Sequence, residues 1–211
     1  VLMEEAPPVP ESFRDSRVVF LANMHPGRQA AMLEHFPHRK LVVADTMDLW
    51  INTARPDLMA LLKKIDGLVL NYDEAELFTG KRNPVTAAKH ILTLGPRFVV
   101  VKKGEHGALL IHRDGLGALP AFPAEEVVDP TGAGDTFAGG MMGSLAASIA
   151  GKPAAAAAKL GSFESILRAL AHGTIIASFN IESFSLDRLK TLTRRELDKR
   201  YDAFAKMVRL K

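Results

Sequence analysis

The sequence predicts a three-layer α/β fold with a mostly parallel central sheet, and two observations carry that reading. Short β-branched runs alternate with longer amphipathic patterns along the 211 residues, and 47% of the chain is hydrophobic, enough to cover both faces of a sheet. Composition narrows the class further. The absence of Cys removes disulfide scaffolds, Cys-ligated zinc and thiol nucleophiles, and makes a reducing cytoplasm the expected compartment. With 27 Lys+Arg against 24 Asp+Glu, the net charge of +3 is too small to point to nucleic acid. Val1 to Pro10 has neither the basic nor the apolar region of a signal peptide, and the weakly polar stretch Ala138 to Ala150 falls short of the ~20 residues of a spanning helix.

Taken in order, residues 1–16 read as an irregular linker and 17–211 as one domain. Arg17 to Ala22 reads as a strand, Arg28 to Phe36 as a helix, and Lys40 to Asp45 as a strand. Pro56 to Ile65 follows as a helix, with Pro56 suited to its first turn and Leu58, Leu61, Leu62 and Ile65 on one face. Gly67 to Asn71 is a third strand, Asp73 to Phe78 a short helix ended by Gly80, and Pro84 to Leu94 a helix ended by Gly95. Arg97 to Lys102 is almost wholly apolar, as expected of a strand covered on both faces. Gly107 to Val128 then alternates in short runs broken at Asp114-Gly115 and Gly117, the pattern of antiparallel strands. The remainder is helical: Gly134 to Ala150, an alanine-rich turn at Pro153 to Leu160, Phe163 to Ile176, and Ser185 to about Leu210.

The chemistry is concentrated in Asp129-Pro130-Thr131-Gly132-Ala133-Gly134-Asp135. A strand over Glu126 to Val128 running into a Gly-Ala-Gly turn that opens a long helix brings several backbone N–H groups together at a helix N-terminus, an anion site by geometry. Small residues there admit a phosphate close to the backbone. Asp135, in the first turn, is held ionised by the helix dipole and can accept a proton from an alcohol. Read alone, a tight turn with Asp135 as a helix cap is an equal alternative. A P-loop and a G-x-G-x-x-G fingerprint are both absent, which argues against a P-loop NTPase or an NAD enzyme.

Asp129 to Met142 resembles the C-terminal signature of the ribokinase-like (PfkB) carbohydrate kinases. Asn71-Tyr72-Asp73-Glu74 resembles the family's N-x-x-E motif, and Val99 to Ala108 its strand-turn-strand nucleotide segment, in the same order. The resemblance implies an ATP-dependent kinase acting on a hydroxyl of a small sugar or nucleoside, or a non-catalytic nucleotide-binding fragment of that fold. By the same resemblance Asp135 is the base and Gly132, Ala133 and Gly134 supply the anion hole. Asn71 and Glu74 hold Mg2+ and phosphates, partly through water. Lys102, Gly104, Glu105 and Gly107 lie along the ATP, His172 faces the adenine, and Asp129 and Thr131 bind a monovalent cation such as K+. Bland alternatives stand beside these: a cap for Asn71, solvated positions for Glu74 and Lys102, packing for His172.

His35 and His38 read as surface residues because Pro37 breaks their phase, and the charges of Arg194 to Lys211 as a solvated helix face. Asp45 and Asp48 near Trp50 fall at a strand end, where a loop role is at least as good as a site role. The glycine-rich sugar-recognition segment, acceptor-binding Asp and lid strands of the family are not found before Arg17. The chain is therefore expected to be the C-terminal two-thirds of such a kinase, to bind nucleotide weakly and to turn over little alone. The expected partners are a small-molecule acceptor and, as an assembly, a homodimer, with neither nucleic acid nor a membrane.

Overall fold

The computed structural model describes residues 8–152 and 154–209. Six strands form one sheet in sequential order: β1 (Val18–Leu21), β2 (Leu41–Asp45), β3 (Gly67–Asn71), β4 (Phe98–Lys102), β5 (Ala108–His112) and β6 (Gly115–Leu119). The first four run parallel, and β5 and β6 turn back antiparallel. Between the parallel strands lie α1 (Pro26–Met32), α2 (Asp48–Thr53), α3 (Arg55–Leu62), α4 (Tyr72–Thr79) and α5 (Pro84–Leu92). After the sheet come α6 (Ala133–Ile149), α7 (Phe163–Asn180), α8 (Asp187–Thr191) and α9 (Arg194–Met207).

Strand periodicity distributes the apolar residues to two cores. Val42, Ala44, Leu68, Leu70, Val99 and Val101 face α1, α3, α4 and α5, whereas Leu41, Val43, Val69, Phe98 and Val100 face α6 and α7. Each fully buried Leu or Phe contributes about 1.5–3 kcal/mol, so the two faces together define the layered architecture. A third cluster joins Ile175 and Phe179 of α7 to Phe204 of α9. In the 1–16 segment, Val9 is buried in the first core and Glu11–Phe13 forms a 3-10 turn. Among the described residues, no helix is long and apolar enough to cross a membrane.

Four local expectations fail for identifiable reasons. Asp48–Thr53 is helical, an element the sequence reading left as loop, with Trp50 and Ile51 turned into the core. Glu126 to Val128 is not a strand: Val127 and Val128 are about half exposed, and the Val128 N–H donates to the Ile181 carbonyl at the end of α7 instead of to a neighbouring strand. Gly117 sits inside β6 rather than at a turn. The C-terminal helix is broken at Leu192-Thr193, because Thr193 caps α9 in a reciprocal box with Glu196. Pro153 and Leu210 lie outside the described residues.

Glu196 accepts from both the amide and the hydroxyl of Thr193 and pairs with Arg188 at 2.7 Å, and these contacts, the Thr193 hydroxyl foremost, bring its pKa from 4.5 down to about 2. A depressed carboxylate stabilises the fold above its unfolded pKa and loses that contribution as pH falls through the folded value. Stability is therefore expected to decline between pH 4.5 and about 2. Acid titration of Glu196→Gln, followed by circular dichroism, should show a shallower decline over that interval than wild type.

Candidate active site

The C-terminal ends of β2, β3 and β4 bring Asp45, Asn71 and Lys102 to one edge of the sheet, with Asn71 directly opposite Lys102 in the strand register. This is where an open α/β sheet keeps its ligand sites. The N-terminus of α6 arrives at the same edge. Gly132 is its N-cap with φ 76°, a left-handed conformation that favours glycine, and it leaves the cap without a side chain. The Ala133 N–H donates to the Pro130 carbonyl at 3.2 Å. Among the described residues the N–H groups of Gly132, Gly134 and Asp135 have no protein acceptor. Of the three amides expected to form an anion cradle, those of Gly132 and Gly134 are thus free, as is that of Asp135, while the Ala133 amide closes the turn.

Lys102 lies between this helix terminus and Asp45. Its Nζ is 3.9 Å from Asp45 Oδ2, and a Cβ built on Gly134 would stand 3.2 Å from that nitrogen. Asp45 is buried, not a loop residue; burial pushes its carboxyl up, Lys102 opposes that shift, and the charge of Asp135 adds to it. Sequence reasoning left Asp45 open. Its only signal was its place as the last residue of a strand.

Asn71 and Glu74 form a reciprocal cap on α4: Asn71 Oδ1 accepts the Glu74 N–H at 2.8 Å, and Glu74 Oε2 accepts the Asn71 N–H at 2.7 Å. The cap orients Glu74 toward the Lys102 and Asp45 charges; burial raises its pKa, and the Asn71 amide and Lys102 offset part of the rise. With Oε2 engaged in the cap, Glu74 has its other carboxylate oxygen left for a divalent cation, and its burial near Asp45 and one ammonium suits Mg2+. Among the described residues no three acidic or imidazole groups converge on one point, so water and phosphate oxygens would complete such a shell. Asp129 and Thr131, expected to bind a monovalent cation, are also engaged within the protein. The two Asp129 oxygens accept the N–H groups of Thr131 and Ser185, which lower its pKa, and the Thr131 carbonyl accepts Asn180 Nδ2.

Beside this edge opens a cavity of about 650 Å3. Lys102, Gly104, Glu105, Gly107, Ala133 and Gly134 line it, together with Phe122, Thr174 and Ser178. Gly104 and Gly107 both take positive φ in the turn after β4, and a Cβ at Gly107 would meet the Leu119 carbonyl at 2.1 Å. His172 is not in the lining. It lies on the far side of α7, its ring stacked on Tyr201 at 4.3 Å between centroids, and burial followed by the Arg194 charge lowers its pKa. From α7 it is Thr174 and Ser178, two and six residues further along the helix, that line the cavity. Geometrically the arrangement is an apolar slot lined by Lys102 and the start of α6, whose first turn carries free amides and Asp135; an ammonium, free amides and a carboxylate are elements that phosphoryl transfer needs.

Residues 28–180 match the family model for pfkB family carbohydrate kinases, and the chain belongs to that family. It is 30% identical over 158 residues to a cytidine kinase from Thermococcus kodakarensis, an alignment that takes in 73% of this chain and 55% of that protein. The fold is that of the ribokinases: a ribokinase from Giardia lamblia superposes with a TM-score of 0.73 at 16% identity, over 92% of this chain and 61% of that one. A nucleoside kinase from Methanocaldococcus jannaschii, an archaeal member of the ribokinase family, gives a TM-score of 0.68 at 20% identity over 93% of this chain and 58% of that one. The chain therefore spans somewhat more than half the length of these relatives.

Proposed function

We propose that this chain carries the ATP site and the catalytic base of a kinase that phosphorylates a hydroxyl of a sugar or nucleoside. The observation that supports it best is the cavity beside the α6 N-terminus, lined by Lys102 and Gly134, with Asp135 in the same first helical turn as Gly134. ATP lies in the slot with its base toward Phe122 and Ser178 and its γ-phosphoryl at the helix terminus. The amides of Gly132, Gly134 and Asp135 and the ammonium of Lys102 stabilise the charge on the transferring group. Asp135 accepts the proton from the acceptor hydroxyl, late in a loose transition state. Asn71 and Glu74 hold Mg2+, partly through water; when bound, the ion neutralises phosphate charge. Residues 17–211 act as one unit in this reading.

The acceptor class draws on the relatives: a nucleoside in the cytidine kinase, a sugar in the family at large. Calorimetric titration with Mg·ATP and Mg·ADP tests the nucleotide half. Wild type is expected to bind both. Lys102→Met is expected to weaken ATP about tenfold more than ADP, since only ATP brings a γ-phosphate to the ammonium. A wild-type chain that binds neither nucleotide overturns the reading, and acceptor-dependent ADP release over a panel of sugars and nucleosides assigns the class.

A further inference from the structure

Adjoining the cavity lies a smaller one of about 350 Å3, bounded by Glu125, Glu126, Glu182 and Arg200. Phe122, Pro123, Ala124 and Ser178 line both, so the partition between them is a single layer of residues. Arg200 of α9 stands on the far side. Its Nη1 donates to Ser178 Oγ at 3.1 Å, and its Nη2 is 2.6 Å from Glu182 Oε1. The same guanidinium stacks 3.5 Å from the Phe179 ring centroid and 5.1 Å from that of Phe122. One side chain of the last helix thus touches both sides of the partition: Phe122 from the loop after β6 and Ser178 from α7.

We propose that Arg200 is a positioning residue for the nucleotide and couples the docking of α9 to occupancy of the cavity across that partition. The inference rests on the kinase reading only in taking a nucleotide as the occupant. Phe122 belongs to a loop with no strand or helix of its own, so its ring is fixed by what it packs against. A planar guanidinium can hold an ion pair, a hydroxyl bond and two ring faces at once, which an ammonium cannot. Fixing the wall in advance removes an ordering cost from binding. Linkage then requires the converse: whatever factor docked α9 adds to nucleotide affinity, the nucleotide adds to the docking of α9. If Arg200 merely pinned α9 to α7, the nucleotide would leave α9 unaffected.

The test combines calorimetry on wild type, Arg200→Ala and Arg200→Lys with hydrogen exchange over residues 194–207, with and without saturating Mg·ATP. Both variants are expected to weaken ATP and ADP alike, by about tenfold, because the phosphate end is untouched. In wild type, ATP is expected to slow exchange over α9, and in Arg200→Lys that protection should be largely lost. If wild type binds ATP but exchange over α9 does not change, or if Arg200→Lys binds ATP as tightly as wild type, the coupling is refuted and the kinase reading stands. If wild type binds no nucleotide, both fall. Should Arg200→Ala fail to fold, wild-type exchange and Arg200→Lys still decide.

Discussion

Replacing Asp135 with Asn is expected to lower acceptor-dependent ADP release by about a thousandfold or more, while ATP affinity stays within about threefold of wild type. The two shapes are nearly identical, so the free amides at the start of α6 and the neighbouring Lys102 remain where they are. What disappears is the only group in that turn able to take a proton. The asymmetry between turnover and binding is the diagnostic part. A residue that simply capped α6 would lower stability and leave the rate per folded molecule unchanged. Steady-state kinetics on the Asn variant, together with a thermal melt, distinguish the two. Unchanged turnover would remove Asp135 from the mechanism.

Gly173→Val is expected to destabilise the protein by about 3 kcal/mol and to abolish nucleotide binding in the molecules that still fold. Helices α6 and α7 approach backbone to backbone at Gly140 and Gly173: a Cβ on Gly140 would meet the Gly173 Cα at 3.1 Å, and one on Gly173 would meet the Phe137 carbonyl at 2.6 Å and its ring at 3.1 Å. Phe137 lines the cavity and lies two residues beyond Asp135. Room for a valine at 173 can come only from moving α6, and the start of α6 is the proposed phosphate end of the site. Chemical denaturation reads the first effect and calorimetry the second. A variant of wild-type stability would show that the helices can part freely.

The parallel strands were legible because their residues are buried on both faces, so Leu41 to Asp45 and Phe98 to Lys102 read as continuous apolar runs bounded by polar residues. Helix starts marked by a cap and Pro, such as Asn83-Pro84, were equally plain. Glu126 to Val128 misled because β-branched residues favour strands only where an edge is available to pair with, and here the partner is the end of a helix. The Thr193 break was encoded as Thr-x-x-Glu but was hidden inside a longer amphipathic stripe. At the site, motif spacing located Lys102, Gly104, Gly107 and Gly134 around one cavity. It could not locate Asp45, whose partner Lys102 is 57 residues away in sequence, nor separate His172 from Thr174, which lie on opposite faces of α7.

The reversal of strand direction after β4 also bears on the order in which the site is assembled. Within residues 98–119, β5 pairs with β4 and β6 with β5 over short separations in sequence, so one wall of the cavity can form early, at the pace of hairpins. The phosphate end has no such shortcut. The last turn of α6 is tied back to the start of the sheet, where Arg17 donates to the Ile149 carbonyl across 132 residues of chain. Closing that loop carries an entropic cost the meander does not face. The two parts of the cavity lining are thus expected to mature separately during folding, the lysine and glycine wall first and the free amides of α6 last. Pulsed hydrogen exchange during refolding would show protection over residues 98–119 ahead of 133–149.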